Sequence, residues 1–255
     1  MGGIIVSSNK SFLRFLSWIT ILFLVFTYVG SILEFRYSYI TSEFLFVIFG
    51  GIFASFCVML LSEIKKYIDN KRAAEDMLYS SLRGLYIELT AETKNAEMYL
   101  SNPQEIVPSN LFGYRAYVVE NYCQVLRSLD YSPIKQTPLA RQCQVFKTNE
   151  ISCIDKHISI GVNRLPMAIN CVQREYLQRN VIGYNPTSND QLVKITLQKT
   201  KADAMVRLKA VEGLIVALVS VYPKRYNWMN DKQAIDAINF DLKEQEAENR
   251  TFFET

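Results

Sequence analysis

The chain has 255 residues with 28 Lys and Arg, 25 Asp and Glu and five Cys. Its mean hydropathy is near zero, an average that hides a strong asymmetry: ten of the fifteen Phe fall between Phe12 and Phe56. No block of like charges or Arg-rich run marks a dedicated nucleic-acid arm. The odd cysteine count without framework spacing excludes a disulfide-stapled secreted scaffold and points to reduced thiols facing a cytosol.

In chain order, the first predicted elements are two apolar helices. Nineteen uncharged residues separate Arg14 from Glu34, and another nineteen separate Glu43 from Glu63. As helices, each run is roughly 28 Å long at about 1.5 Å per residue, close to the hydrocarbon thickness of a bilayer. Helix is the form expected in lipid, where every backbone group must bond internally. The segment 1–64 is therefore expected to be a transmembrane hairpin with spans at about 15–33 and 44–62. A cleavable signal peptide fits less well, because the first run is too long and no small-residue cleavage site follows it.

Lys10 and Arg14 precede the first run, Lys65, Lys66, Lys71 and Arg72 follow the second, and the loop between them has only Arg36. The positive-inside rule then places both termini in the cytoplasm. Trp18, Tyr28, Tyr37 and Tyr39 fall near the interfacial levels. In the second run, Gly50 with Ala54 and Gly51 with Ser55 form two small-xxx-small pairs, the device by which helices approach closely in lipid. They serve either the first span of the same chain or a second copy. Neither run carries an ionisable residue, which removes the usual marker of a proton relay or coupled-ion transporter.

Residues 65–240 carry 23 basic against 17 acidic residues, and residues 241–255 carry two against five. This leaves a mildly basic domain with an acidic tail. Leu78, Leu82, Leu85 and Leu89 recur at helical spacing, so the second apolar helix is expected to run on toward Leu100, where Pro103 and Pro108 impose a loop. A helix over about 110–128 is expected to present Tyr114, Tyr117, Val118, Val125 and Leu126 on one face. Thr137 and Pro138 read as the cap and first turn of the next, carrying Leu139, Cys143, Phe146, Ile151, Ile154 and Ile158. Another is predicted after Asn163, with Leu165, Ile169, Val172 and Tyr176 on its inner face. A turn-rich stretch at 183–188 precedes a long helix that ends at Pro223 and includes the apolar run 213–222. A last helix carries Ala234, Ile235, Ile238 and Leu242. No sustained period-two alternation occurs, so the fold class is all-α.

No phosphate loop, metalloprotease helix or hydrolase elbow is present, and the reading is a non-enzyme without cofactor. Cys153 and His157 share a helical face and could join Cys143 and Cys171 around zinc, but the short Cys-x-x-Cys knuckle is missing. Pairs such as Glu88 with Glu92 read as surface-helix arrangements.

The order of a short tail, two apolar helices, a basic junction and a helical domain without catalytic motifs resembles the two-span membrane effectors of bacterial antiphage systems, including those of retron and cyclic-nucleotide-signalling defences. The resemblance is one of layout over the whole chain. It implies an inner-membrane protein whose helical domain is restrained or triggered by a cytosolic protein or nucleoprotein partner. Homo-oligomerisation then perturbs or permeabilises the bilayer, with Gly50, Gly51, Ala54 and Ser55 packing the spans and Lys65, Lys66, Lys71 and Arg72 at the junction. The rival expectation is a membrane-tethered scaffold that docks a protein or nucleic acid.

Overall fold

The computed structural model describes the backbone of residues 10–36, 42–131, 134 and 138–238. Side chains of 10–13, 30–36, 42–49, 114, 155 and 157–162 lie outside that description. The chain is all-helical, and the only β pairing among the described residues is an isolated antiparallel bridge between Ile106 and Thr187. It divides into two compact units: residues 1–75 with 132–134, and residues 76–131 with 135–255.

The first unit contains helix α1 (Lys10–Arg36) and the start of α2 (Ser42–Ser101). Ring stacking of Phe23 on Phe56, with centroids 5.2 Å apart, packs one helix on the other. Among the described residues no helix is long and apolar enough to cross a membrane, and the described side chains of α1 run only from 14 to 29. The all-helical class thus stands on the structure, whereas the two spans do not. Tyr37, Tyr39, the loop around them and the acidic tail at 241–255 lie outside the described residues.

In the second unit α2 runs on to Ser101, as the leucine spacing predicts, and Leu78, Leu82, Leu85 and Leu89 are all fully buried. Ser81, Tyr86, Thr90 and Glu92 are buried as well, so α2 is covered on more than one face and forms the domain's central helix. Its far end joins a second cluster with Val107, Phe112, Leu165, Ile169, Val193 and Leu197.

Helix α3 (Gly113–Ser128) keeps Leu126 of the expected face buried and Val118 and Val125 half-buried, but not all of that face is covered. Tyr117 is exposed, and the buried stripe is Arg115, Val119, Cys123 and Leu126 at four, four and three. Two contacts with α2 decide this phase. The Arg115 guanidinium donates to Glu88 at 3.0 Å, and Gly84 leaves so little room that an added Cβ would lie 2.3 Å from the Tyr122 ring.

Helix α4 (Pro138–Val145) passes through a π turn (Phe146–Glu150) into α5 (Ile151–Gln178). The π turn inserts one residue into the helical period, so Leu139 and Cys143 before it, Phe146 at its start and Ile151 and Ile154 after it are all buried. The separate helix expected after Asn163 does not exist: α5 runs straight through Asn163 and Pro166. An interior proline costs about 3 kcal/mol, but Leu165, Ala168, Ile169 and Val172 bury one continuous stripe around it, and that burial outweighs the missing N–H. Thr137, the expected cap of α4, lies outside the described residues.

Asn180 (φ 61°) and Gly183 (φ 75°) take left-handed conformations and turn the chain after α5. The Val181 N–H donates back to the Tyr176 carbonyl at 2.9 Å. Helix α6 (Gln191–Val221) follows, with Leu214, Ile215 and Leu218 of the apolar run in the core. Helix α7 (Trp228–Ala237) is capped by the Asn227 side chain and ends before Ile238, and Leu242, expected on it, lies outside the described residues.

Candidate functional site

In α1 the less exposed positions are Leu16, Ile19, Thr20, Phe23 and Thr27, one stripe at helical spacing, with Ser17 half-buried beside it. The rest of the described apolar surface faces outward: Phe15, Trp18, Leu22, Val25, Phe26 and Val29 are each between 44% and 71% exposed. Thr20 and Thr27, the polar members, sit on the inner stripe, and their hydroxyls donate to the Leu16 and Phe23 carbonyls at 2.8 Å. A water-soluble helix does the reverse, turning hydroxyls out and aromatic rings in.

The start of α2 behaves alike. Phe53, Phe56, Cys57 and Leu60 are the partly covered positions, while Ile52, Val58, Met59 and Leu61 are exposed. Gly51, Ala54 and Ser55 are exposed and Gly50 is half-buried. A Cβ added at Gly50 or Gly51 would meet nothing within 4 Å, and the Ser55 hydroxyl is satisfied by the Gly51 carbonyl at 2.9 Å. Among the described side chains of α1, none fills the space over Gly50 or Gly51.

At the junction Lys65 and Arg72 are exposed, Lys66 pairs with Glu63 at 2.7 Å and Lys71 with Glu75 at 3.9 Å. These are same-helix pairs in water, worth no more than about 0.5 kcal/mol each. Two of the four cations are thus engaged by carboxylates of their own helix.

Sequence reasoning missed the group that begins one turn later. Asp76, Tyr79, Arg83 and Tyr86 recur on α2 at three, four and three, and each meets the C-terminal part of the domain. Asp76 accepts from Arg225 at 2.5 Å and from the Tyr226 hydroxyl at 2.8 Å. Tyr79 stacks on Tyr226 with centroids 4.3 Å apart and donates to Asp231 at 2.6 Å, which Arg83 also approaches at 3.3 Å. Tyr86 meets Trp228 edge to face at 4.8 Å. Farther on, Lys94 donates to the carbonyls of Asp236 and Ile238.

Burial, then the bond to Asp231, pushes the Tyr79 phenol well above its ordinary range, so it stays a donor at neutral pH. The aromatic pairs contribute on the order of 0.5–1.5 kcal/mol each beyond area burial, more than the half-exposed Asp76–Arg225 pair does. Together they form a clasp that fastens α7 to the first turns of α2 within the domain. Its partners lie about 150 positions apart in sequence, so no local pattern announces it.

Among the described residues no group of His, Cys, Asp and Glu is placed to hold a metal ion. Cys143 is buried while Cys171 is exposed, and the His157 side chain lies outside the described residues. Burial pushes the Cys123 and Cys143 thiols up to about 11, which makes them poor nucleophiles. Glu88 and Glu92 are not the surface pair expected, because Glu92 is buried and Glu88 is held by Arg115. No family model matches the chain, and no curated protein or solved structure is similar to it at a significant level.

Proposed function

We propose that the chain is a bilayer-anchored, non-enzymatic effector with both termini in the cytoplasm. The hairpin of α1 and early α2 sits in lipid, and a cytosolic partner triggers the helical domain. Copies then assemble through Gly50, Gly51, Ala54 and Ser55, and the assembled helices perturb the membrane. The antiphage setting comes from the layout resemblance. The observation that carries the reading is the inverted burial of α1, whose aromatic and aliphatic side chains face outward while its threonine hydroxyls are turned inward and bonded. An apolar surface of that extent on a soluble chain would drive aggregation, and lipid is the solvent it matches. The open space over Gly50 and Gly51 supports assembly between copies.

The test is expression in cells loaded with a potential-sensitive dye, before and after the trigger. Depolarisation that is lost in Gly51→Leu is the expected result, and an unchanged potential in resting and triggered cells counts against the proposal.

A second reading, a membrane-tethered docking scaffold, draws on one surface of the domain. Val181 and Ile182 stand exposed, the latter at 87%, on a turn that is itself well tied down. There Tyr184 stacks on Tyr176 and donates to Asp190, and Ser188 donates to the Tyr99 carbonyl. Replacing residues 15–62 with an unrelated transmembrane hairpin separates the readings: a scaffold keeps its function and a perturbing effector loses it.

A further inference from the structure

The π turn opens a cleft of about 310 Å³ between α4 and α6, lined by Arg141, Gln142, Val145, Phe146, Ala210 and Leu214, with Glu150 at its edge. Its cause is local. The Ile151 N–H bonds to the Phe146 carbonyl, five residues back, and the Thr148 hydroxyl donates to the loosened carbonyls of Gln144 and Val145 at 2.9 and 3.2 Å.

The floor is apolar and the free charge at the rim is positive. Glu150 is engaged by Arg207 at 3.1 Å, whereas Arg141 is exposed and makes no ion pair among the described residues. At the low end of the size range of small-ligand sites, roughly 300 Å³, the cleft suits one or two aromatic side chains flanked by an anion.

The chain itself supplies such a segment. Beyond Ile238, residues 239–255 hold five acidic against two basic residues, and Phe252 and Phe253 stand beside Glu254. The segment leaves from α7, whose Lys232 pairs with Glu212 on α6, between the cleft positions Ala210 and Leu214 in sequence. Fourteen residues from Ile238 to Phe252 reach up to about 48 Å at roughly 3.4 Å each. That is several times the roughly 10–12 Å diameter of a helix with its side chains.

We propose that Phe252 and Phe253 dock in this cleft of their own chain, with Glu254 facing Arg141. Docking covers the open apolar floor, and the acidic segment offsets the rim's cation. The inference is independent of whether the hairpin enters a bilayer, since it concerns only the helical domain.

Amide hydrogen exchange on the purified full chain tests it. Wild type is compared with Phe252→Ser/Phe253→Ser, with Arg141→Glu, and with the charge swap Arg141→Glu/Glu254→Arg. The aromatic double variant is expected to speed exchange of amides 141–150 about tenfold, equivalent to about 1.4 kcal/mol of lost protection. Arg141→Glu shifts the same amides, and the swap restores them. Exchange across 82–89 stays at the wild-type rate, which shows that the domain remains folded. Unchanged exchange at 141–150 in the aromatic variant overturns the proposal. So does protection that rises with protein concentration, because it would place the tail of a second copy in the cleft.

Discussion

Helix α1 and the helical domain turn the same residue types in opposite directions. In α1, Val25 is 52% exposed amid other exposed apolar side chains, while Thr20 and Thr27 face inward with their hydroxyls bonded to carbonyls four residues back. In the domain, Leu78, Leu82, Leu85 and Leu89 are fully buried, and polar groups are buried with them, not always with partners. Both Asn95 amide atoms and the hydroxyls of Thr90 and Thr200 are buried without a hydrogen-bond partner among the described residues. The contrast teaches that exposure has no meaning until the solvent is named. An outward Val is a liability in water and neutral in lipid, and an unbonded hydroxyl is tolerable only where water can reach it.

The sharpest way to break the comparison is one substitution made in both regions. Val25→Arg places a cation on the outward face of α1, where lipid would charge about 2.5–3.5 kcal/mol for it near the centre of a span. Val206→Arg, at a domain position that is 57% exposed, should move stability by no more than about 0.5 kcal/mol. Fractionation after alkaline extraction is expected to show Val25→Arg leaving the membrane pellet and Val206→Arg staying in it. Equal behaviour of the two would remove the distinction between the regions.

Smaller effects sharpen the domain side. Gly84→Ala forces the Tyr122 ring away from a Cβ that would otherwise stand 2.3 Å from it, at a cost on the order of 1–3 kcal/mol. Thermal unfolding followed by circular dichroism should show a lower midpoint. Asn95→Leu works in the other direction. Removing two buried polar atoms that lack partners among the described residues, in favour of an apolar side chain of similar size, is expected to be neutral or stabilising by about 1 kcal/mol. A clear fall in the denaturation midpoint would show that Asn95 is satisfied by a bound water.

The smallest effect is in pH. Burial pushes the Glu88 carboxyl above its ordinary range, and the attraction of Arg115 only partly offsets it. A folded-state value above the unfolded one favours the folded state while the group is protonated. That contribution is full below the ordinary carboxylate range and is lost as pH rises through the folded value. Glu88→Gln keeps an acceptor for Arg115 and cannot titrate. The wild-type stability should therefore drift downward relative to Glu88→Gln as pH rises through and above the carboxylate range, measured as a difference in denaturation midpoint.

Much of the architecture can be read from local spacing. The leucine series at 78–89 puts the core face of α2 where it is found, the prolines at 103 and 108 end that helix in time, and the break before α6 falls in the turn-rich stretch. Misreadings occur where a distant partner overrules a local pattern. In α3, Tyr117 is left exposed because Arg115 and Tyr122 face Glu88 and Gly84 on another helix. Pro166 is carried inside α5 because the apolar stripe on both sides finds a core to enter. The π turn has no compositional mark. Of the positions expected to act, Gly50, Gly51, Ala54 and Ser55 were legible as a motif, but that the described side chains of α1 leave this face open is visible only with the helices in place.

What the amino-acid order determined by itself is everything set by short-range periodicity: the helical class, the concentration of apolar residues in the first 62 positions and the charge contrast between domain and tail. These follow from interactions within three or four residues, which any helix makes wherever it sits. The tertiary structure alone decided which faces are covered, which carboxylates are buried and how Asp76, Tyr79, Tyr226 and Asp231 come together. Contacts between residues 150 positions apart cost loop entropy first and are repaid only by the finished packing, so no stretch of sequence carries their signature.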